Sequence, residues 1–347
     1  MVEMEFGDVL SGVTPGPSGS RLRDYTGVDD SNPASLVSPA GLAASEDIHS
    51  LYKGAGADFG KMATFCATPL RLAGAGDEAW DPNNQEGLEL DQLSLQRILA
   101  EVKIYKKVWG KRRPVVASMA PLADTSGGDD ERWKALSRSE QMRIAKARHR
   151  PQMEAMASAG VKILICEAFR YTSEAEVVAQ LAKELGFRAL LVSFEADLKG
   201  IPDPQAGGIG FADMKRVLQV AAGEGVAVGV GVNCVGVNLV NSLWSEDPNL
   251  KLDAVYVNSV KTLDSRLKTR LVTLLRIPED KKTQSERDEL DLILVRSQTS
   301  TTEFVNFIKD AIRRRVSVIG GCCGTGYAEV EVASLLLARA KRRRLRT

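Results

Sequence analysis

Cysteine, histidine and aromatic residues are all scarce in this 347-residue chain, which has five cysteines, two histidines and 5% Phe, Trp and Tyr. Five unevenly spaced cysteines are too few for a disulfide framework, and two histidines argue against a histidine-based metal or general-base centre. Charge of one sign is lacking too. Lys and Arg (46) nearly cancel Asp and Glu (45), so there is no global basic field to gather nucleic acid or anionic lipid. Nowhere do 18 uncharged apolar residues run together, which argues against a membrane-spanning helix. The opening "MVEMEFGDVLSGVTPGPSGS" has neither a basic n-region nor an apolar h-region, so a cytoplasmic location is expected. A dinucleotide fingerprint is also missing: "GAGAD" at 54–58 follows a helical pattern and precedes a strand, the reverse of the required order.

What is present is enough apolar material, 44% of residues, to bury one large core. Short runs rich in Val, Ile and Leu alternate with longer amphipathic stretches, the rhythm of βα units around a parallel sheet. Strands are predicted at 10–14, 57–65, 114–119, 161–167, 188–194, 226–232, 253–258 and 316–320. Eight is the strand count of a (β/α)8 TIM barrel, predicted here as a single domain over 1–347, with the basic stretch 335–347 as a solvated helix end or tail. The polar, turn-rich segments 74–90 and 122–134 each follow a predicted strand and are expected to cover or line the site.

Chemistry in a parallel barrel sits at the C-terminal ends of the strands. Cys234 follows the sixth predicted strand in "VGVGVNC", and Cys322 and Cys323 follow the eighth in "VSVIGGCC". Adjacent cysteines do not readily join each other, because the small ring distorts the peptide. Zinc is the alternative: three thiolates at one rim fill three corners of a tetrahedron and leave the fourth open, with Gly320, Gly321 and Gly324 allowing the sharp turn. Such an electron-rich centre suits an incoming thiol, held as a thiolate, that attacks a methyl group on a cationic sulfonium or ammonium.

The motif "GVNC" at 231–234 with "GGCCGT" at 320–325 resembles the zinc signature of the homocysteine S-methyltransferase family. Further similar segments are "YKGAGADFGKMATF" (52–65), "ASMAP" (117–121), "HRPQMEAMASAGVKILICEAF" (149–169) and "VYVNS" (255–259). The resemblance implies a TIM-barrel methyltransferase with Zn2+ held by Cys234, Cys322 and Cys323, and with Glu167 at the family's substrate-gripping carboxylate. It implies a small-molecule thiol acceptor, homocysteine giving methionine, and a small-molecule methyl donor. Ser118 and Asn258 end predicted strands and are candidate substrate contacts, as are Phe65 and Phe169 for the donor methyl. Cys66 and Cys166 read as buried structural thiols, and the oligomeric state is left open.

The pattern departs from the family at two places. Pro15 stands where the family has an aspartate on strand one, and Lys261 reverses a charge in "VNSVK". Losing one of two carboxylates that grip an ammonium weakens recognition by on the order of 1.5–3 kcal/mol. If homocysteine is the acceptor, Asp24, Asp58 or a loop acid must replace it. The alternatives are a methyltransferase for a different thiol, a non-catalytic zinc-binding barrel, and a redox enzyme using Cys322 and Cys323, of which only the zinc readings need Cys234.

Overall fold

The computed structural model describes residues 5–14, 38–65, 67, 85–122, 133–197, 200–201, 208–258, 283, 301–322, 325 and 327–344. In chain order the elements are α1 (Phe6–Val9), β1 (Gly12–Val13), α2 (Pro39–Gly54), α3 (Gln85–Trp109), β2 (Val116–Met119), α4 (Arg138–Ser158), β3 (Ile163–Phe169) and α5 (Thr172–Glu184). They continue with β4 (Ala189–Phe194), α6 (Phe211–Ala222), β5 (Ala227–Gly236), α7 (Val237–Glu246), β6 (Ala254–Asn258), α8 (Thr301–Arg313), β7 (Val318–Gly321) and α9 (Tyr327–Arg344). The seven strands form one parallel sheet in the order β1-β7-β6-β5-β4-β3-β2. This is the α/β TIM-barrel fold expected from the strand–helix rhythm.

One predicted strand, 57–65, differs. It is an irregular segment whose ladder contact is the single parallel bridge Met62–Ala117. The segment nevertheless bonds to both ends of the sheet. Asp58 N–H donates to Val13 O at 2.8 Å, its Oδ2 accepts Val13 N–H at 2.8 Å, and Met62 N–H donates to Val116 O at 2.9 Å. A side chain thus substitutes for a ladder partner, so the eighth barrel place is filled without a regular strand. The same bonds answer one expectation: Asp58 is committed to the backbone of β1 and is not a spare acid for substrate.

Two apolar layers follow from the two faces of the strands. Inside the barrel lie Val116, Ile163, Ile165, Ala189, Leu191, Ala227, Ala254 and Val318, capped at the lower end by Phe6 of α1. Outside, residues of opposite parity such as Ala117, Leu164, Cys166, Leu190, Val192 and Val255 pack against the helices. Gly229 and Gly231 keep the lumen narrow: a Cβ on Gly229 would meet Phe6, and one on Gly231 would meet the carbonyl oxygen of Ala254. Helix starts are fixed locally. Ser137 caps α4 through a reciprocal capping box with Glu140, and Ser38 caps α2. Among the described residues, no helix is long and apolar enough to cross a membrane.

Candidate active site

Period-two alternation carries the inward face of each strand up to the mouth of the barrel. On β2 it leads from Val116 to Ser118, on β3 from Ile165 to Glu167, and on β4 from Leu191 to Ser193. On β5 it leads from Gly231 to Asn233, on β6 from Ala254 to Tyr256 and Asn258, and past β7 from Gly320 to Cys322. These residues meet. Glu167, 9% exposed, accepts from Lys61 Nζ at 2.6 Å and Asn233 Nδ2 at 3.4 Å on Oε2, and from the Ser118 hydroxyl on Oε1.

Asn233 is the junction of this network. Its amide also donates to Ser193 Oγ at 3.2 Å, while its Oδ1 accepts from the Cys322 thiol at 3.2 Å. Ser193 in turn donates to the carbonyl of Cys166 at 3.1 Å. The buried polar groups at the mouth therefore hold one another in register, which is what a low-dielectric site demands of them.

Cys234 reaches this face by a different route. Strict alternation would turn it outward, since Asn233 points in. The β5–β6 register shifts between Asn233 and Val235, and Cys234 takes a left-handed backbone with φ of 55°. That bulge re-aims the side chain into the lumen, where Sγ lies 2.6 Å from Sγ of Cys322. A tetrahedral zinc with bonds of about 2.3 Å spaces two sulfurs by about 3.8 Å, so the pair would open by about 1 Å to share an ion. Two soft donors converging in a partly buried mouth fit that metal. Cys323, the third expected ligand, lies outside the described residues, as do Pro15, Asp24, Cys66 and Lys261. Among the described residues, no group of three His, Cys, Asp or Glu side chains stands together as a metal site.

Of the other residues expected at the site, Asn258 ends β6, and its Oδ1 is buried with no hydrogen-bond partner among the described residues. Phe65 is half-buried, with its carbonyl accepting from Ala120 N–H at 3.2 Å. Phe169 is placed elsewhere. It is fully buried in the outer layer and stacks on His149 with ring centroids 6.0 Å apart. Burial pushes the Cys166 thiol well above its usual range, with Glu174 and Glu167 adding to the effect, so this outward-facing cysteine stays protonated.

Sequence reasoning passed over Lys61, Ser193, Asn233 and Tyr256. Three of them, Ser193, Asn233 and Tyr256, follow from carrying the inward alternation of β4, β5 and β6 towards the C-terminal ends of those strands. Tyr256 faces inward from β6, with its ring 4.6 Å from Lys61 Nζ and its hydroxyl unpartnered among the described residues. Burial first, then Glu167 and Cys322, raises its hydroxyl well above the ordinary range, so it is a hydrogen-bond donor at neutral pH.

The segment that presents Lys61 is anchored from outside. Ala63 N–H donates to Glu101 Oε2 at 3.0 Å, Gln152 Nε2 donates to Thr64 O at 2.9 Å, and Thr64 Oγ1 donates to Ser118 O at 2.7 Å. Glu101 is wholly buried and paired with Arg97 at 2.8 Å, with the Ser45 hydroxyl at 2.6 Å. His49 adds a contact to Glu101 at 3.6 Å and accepts from Trp109 Nε1 at 3.0 Å. The two histidines are thus both structural: His149 pairs with Glu174 at 2.7 Å in the same outer layer.

The homocysteine S-methyltransferase family profile matches residues 15–335 of the chain. The homocysteine S-methyltransferase YbgG of Bacillus subtilis (strain 168) is 29% identical over 237 residues, 65% of this chain and 69% of that protein. The metallated form of the homocysteine methyltransferase MmuM from Escherichia coli superposes with a TM-score of 0.60 at 19% identity, covering 94% of this chain and 95% of that one. The apo form of the same enzyme gives 0.53 at 17% identity, over 93% and 95%.

Proposed function

Because this chain belongs to the homocysteine S-methyltransferase family and is a methyltransferase by that membership, we propose that it moves a methyl group from a sulfonium donor to a zinc-activated small thiol, with homocysteine as the family's acceptor. The observation that carries the reading is the convergence of Cys234 and Cys322, from different strands, at a mouth lined with polar groups. Cys234, Cys322 and Cys323 would hold the ion. When bound, zinc keeps the acceptor sulfur as a nucleophilic thiolate at neutral pH.

The chain's own residues do the rest. Asn233 orients the Cys322 thiol and ties it to Glu167, so the metal-binding and substrate-binding ends of the mouth are coupled. Glu167, Ser118 and Asn258 line the polar end for the acceptor, and half-buried Phe65 is set on the donor side. In the transfer itself the acceptor sulfur forms a bond to the methyl carbon as the donor's carbon–sulfur bond breaks. Its electron pair stays on the donor, which leaves as a neutral thioether. Two opposite charges cancel in that step, which a dry mouth favours over water.

The test is methyl transfer by zinc-loaded protein from S-methylmethionine, S-adenosylmethionine or betaine to homocysteine and other small thiols. Transfer from a sulfonium that is abolished by a chelator and by Cys322→Ser, with circular dichroism unchanged, is the expected result. Transfer that survives metal removal would refute the zinc reading, and a betaine-only activity would refute the sulfonium donor.

A further inference from the structure

Lys61 is the least expected residue at the mouth. Its side chain is 2% exposed, its ammonium reaches Glu167 at 2.6 Å, and it also lies 4.6 Å from the centre of the Tyr256 ring. We propose that Lys61 sets acceptor choice, favouring thiols that carry a carboxylate but no ammonium over zwitterionic amino-acid thiols. The proposal rests on the methyl-transfer reading and departs from the family's acceptor in one respect, ranking homocysteine behind its desamino analogue in this chain.

The argument is one of charge and donor count. Glu167 is the carboxylate placed to grip an ammonium, yet both of its oxygens are already engaged, Oε2 by Lys61 and Asn233 and Oε1 by Ser118. A substrate ammonium entering here sets a second cation against one carboxylate in a poorly solvated place, where like charges repel strongly. A substrate carboxylate meets the opposite situation. The lysine head carries three donors, and the Tyr256 ring that it overlies at 4.6 Å carries a hydroxyl that is buried and unpartnered among the described residues. Lys61 and Tyr256 thus each bring donors for an anion to the same wall of the mouth, and Glu167 holds the lysine in place. The desamino analogue of homocysteine, 4-mercaptobutanoate, keeps the thiol, the chain length and the carboxylate, and drops only the ammonium.

The experiment compares kcat/KM for 4-mercaptobutanoate and homocysteine in the zinc-loaded wild type, in Lys61→Met, and in the charge-neutral pair Lys61→Met with Glu167→Gln. The pair is included because the single change leaves Glu167 buried without a counter-ion. Calorimetric binding of the two thioether products, 4-(methylsulfanyl)butanoate and methionine, to metal-free protein gives a readout that needs no turnover. We expect the wild type to prefer the desamino compound in both assays, and the preference to fall at least tenfold in each variant, as for one charged hydrogen bond. A wild-type preference for the amino-acid compounds, or a ratio that neither variant moves, overturns the assignment. If neither thiol is methylated, the methyl-transfer reading fails, and the binding ratio alone still decides the role of Lys61.

Discussion

Replacing Arg97 with methionine tests how the outer layer holds the mouth of the barrel in place. Arg97 and Glu101 are both fully buried, one helical turn apart on α3, with the guanidinium 2.8 Å from Oε1. Glu101 then bonds Ser45 and the backbone N–H of Ala63, two residues from Lys61. Methionine fills much the same volume, so the change removes charge more than packing. It leaves the Glu101 carboxylate in the interior without its arginine, a fault that costs about 3–5 kcal/mol.

A second route gives a similar figure. Burial raises the Glu101 carboxyl, but Arg97 first, then His49 and Ser45, outweigh it and hold the pKa at about 2 against an ordinary 4.5. That gap corresponds to about 3 kcal/mol. The sign follows from the direction: a depressed carboxylate stabilises the fold above its unfolded value, and the contribution is lost as pH falls from about 4.5 towards 2. In Arg97→Met, burial is less opposed, so acid unfolding should begin at a higher pH. Urea unfolding at pH 7 and acid titration, both followed by circular dichroism, measure the two effects. Arg97→Met paired with Glu101→Gln should recover part of the loss. A cost below about 1 kcal/mol together with an unshifted acid midpoint would refute the account.

Gly231→Ala should yield little folded protein, because its Cβ would meet the carbonyl oxygen and Cβ of Ala254 on the adjoining strand, where neither can move cheaply; near-wild-type thermal stability would contradict this. Asn233→Ala removes the acceptor for Cys322 and donors to Glu167 and Ser193, so stability should fall by roughly 1–3 kcal/mol. Its KM for the thiol should also rise more than kcat falls, and unchanged steady-state kinetics would show that the junction does not position substrate.

Much of this protein could be read from its sequence because the signals are local. The helix–glycine–strand rhythm announced a parallel barrel, since each βα unit must bury one face of a strand and one stripe of a helix. The cysteines after two strands were legible as residues of one rim, since the ends of parallel strands open on one side, and Cys234 and Cys322 do meet there. The same logic put Glu167 and Ser118 at that end of the barrel, where they hydrogen-bond each other. What the tertiary structure decided depends on contacts between distant segments. The expected strand 57–65 became an irregular bridge, because Asp58 spends its side chain on Val13 and the glycine at 60 lies against Trp109. Phe169 went to the outer layer because a register shift beyond Cys166, with Ala168 at a φ of 61°, changes which way the chain faces. Cys234 turned inward by the same device on β5. Alternation along one strand cannot foresee a bulge, which is set by the pairing of two. Nor could it foresee that Lys61 and Glu167, 106 residues apart, would neutralise each other at the mouth. Composition and spacing pointed to the barrel and to its cysteine-bearing rim, and the packing of one strand against the next decided which charged groups stand at the mouth.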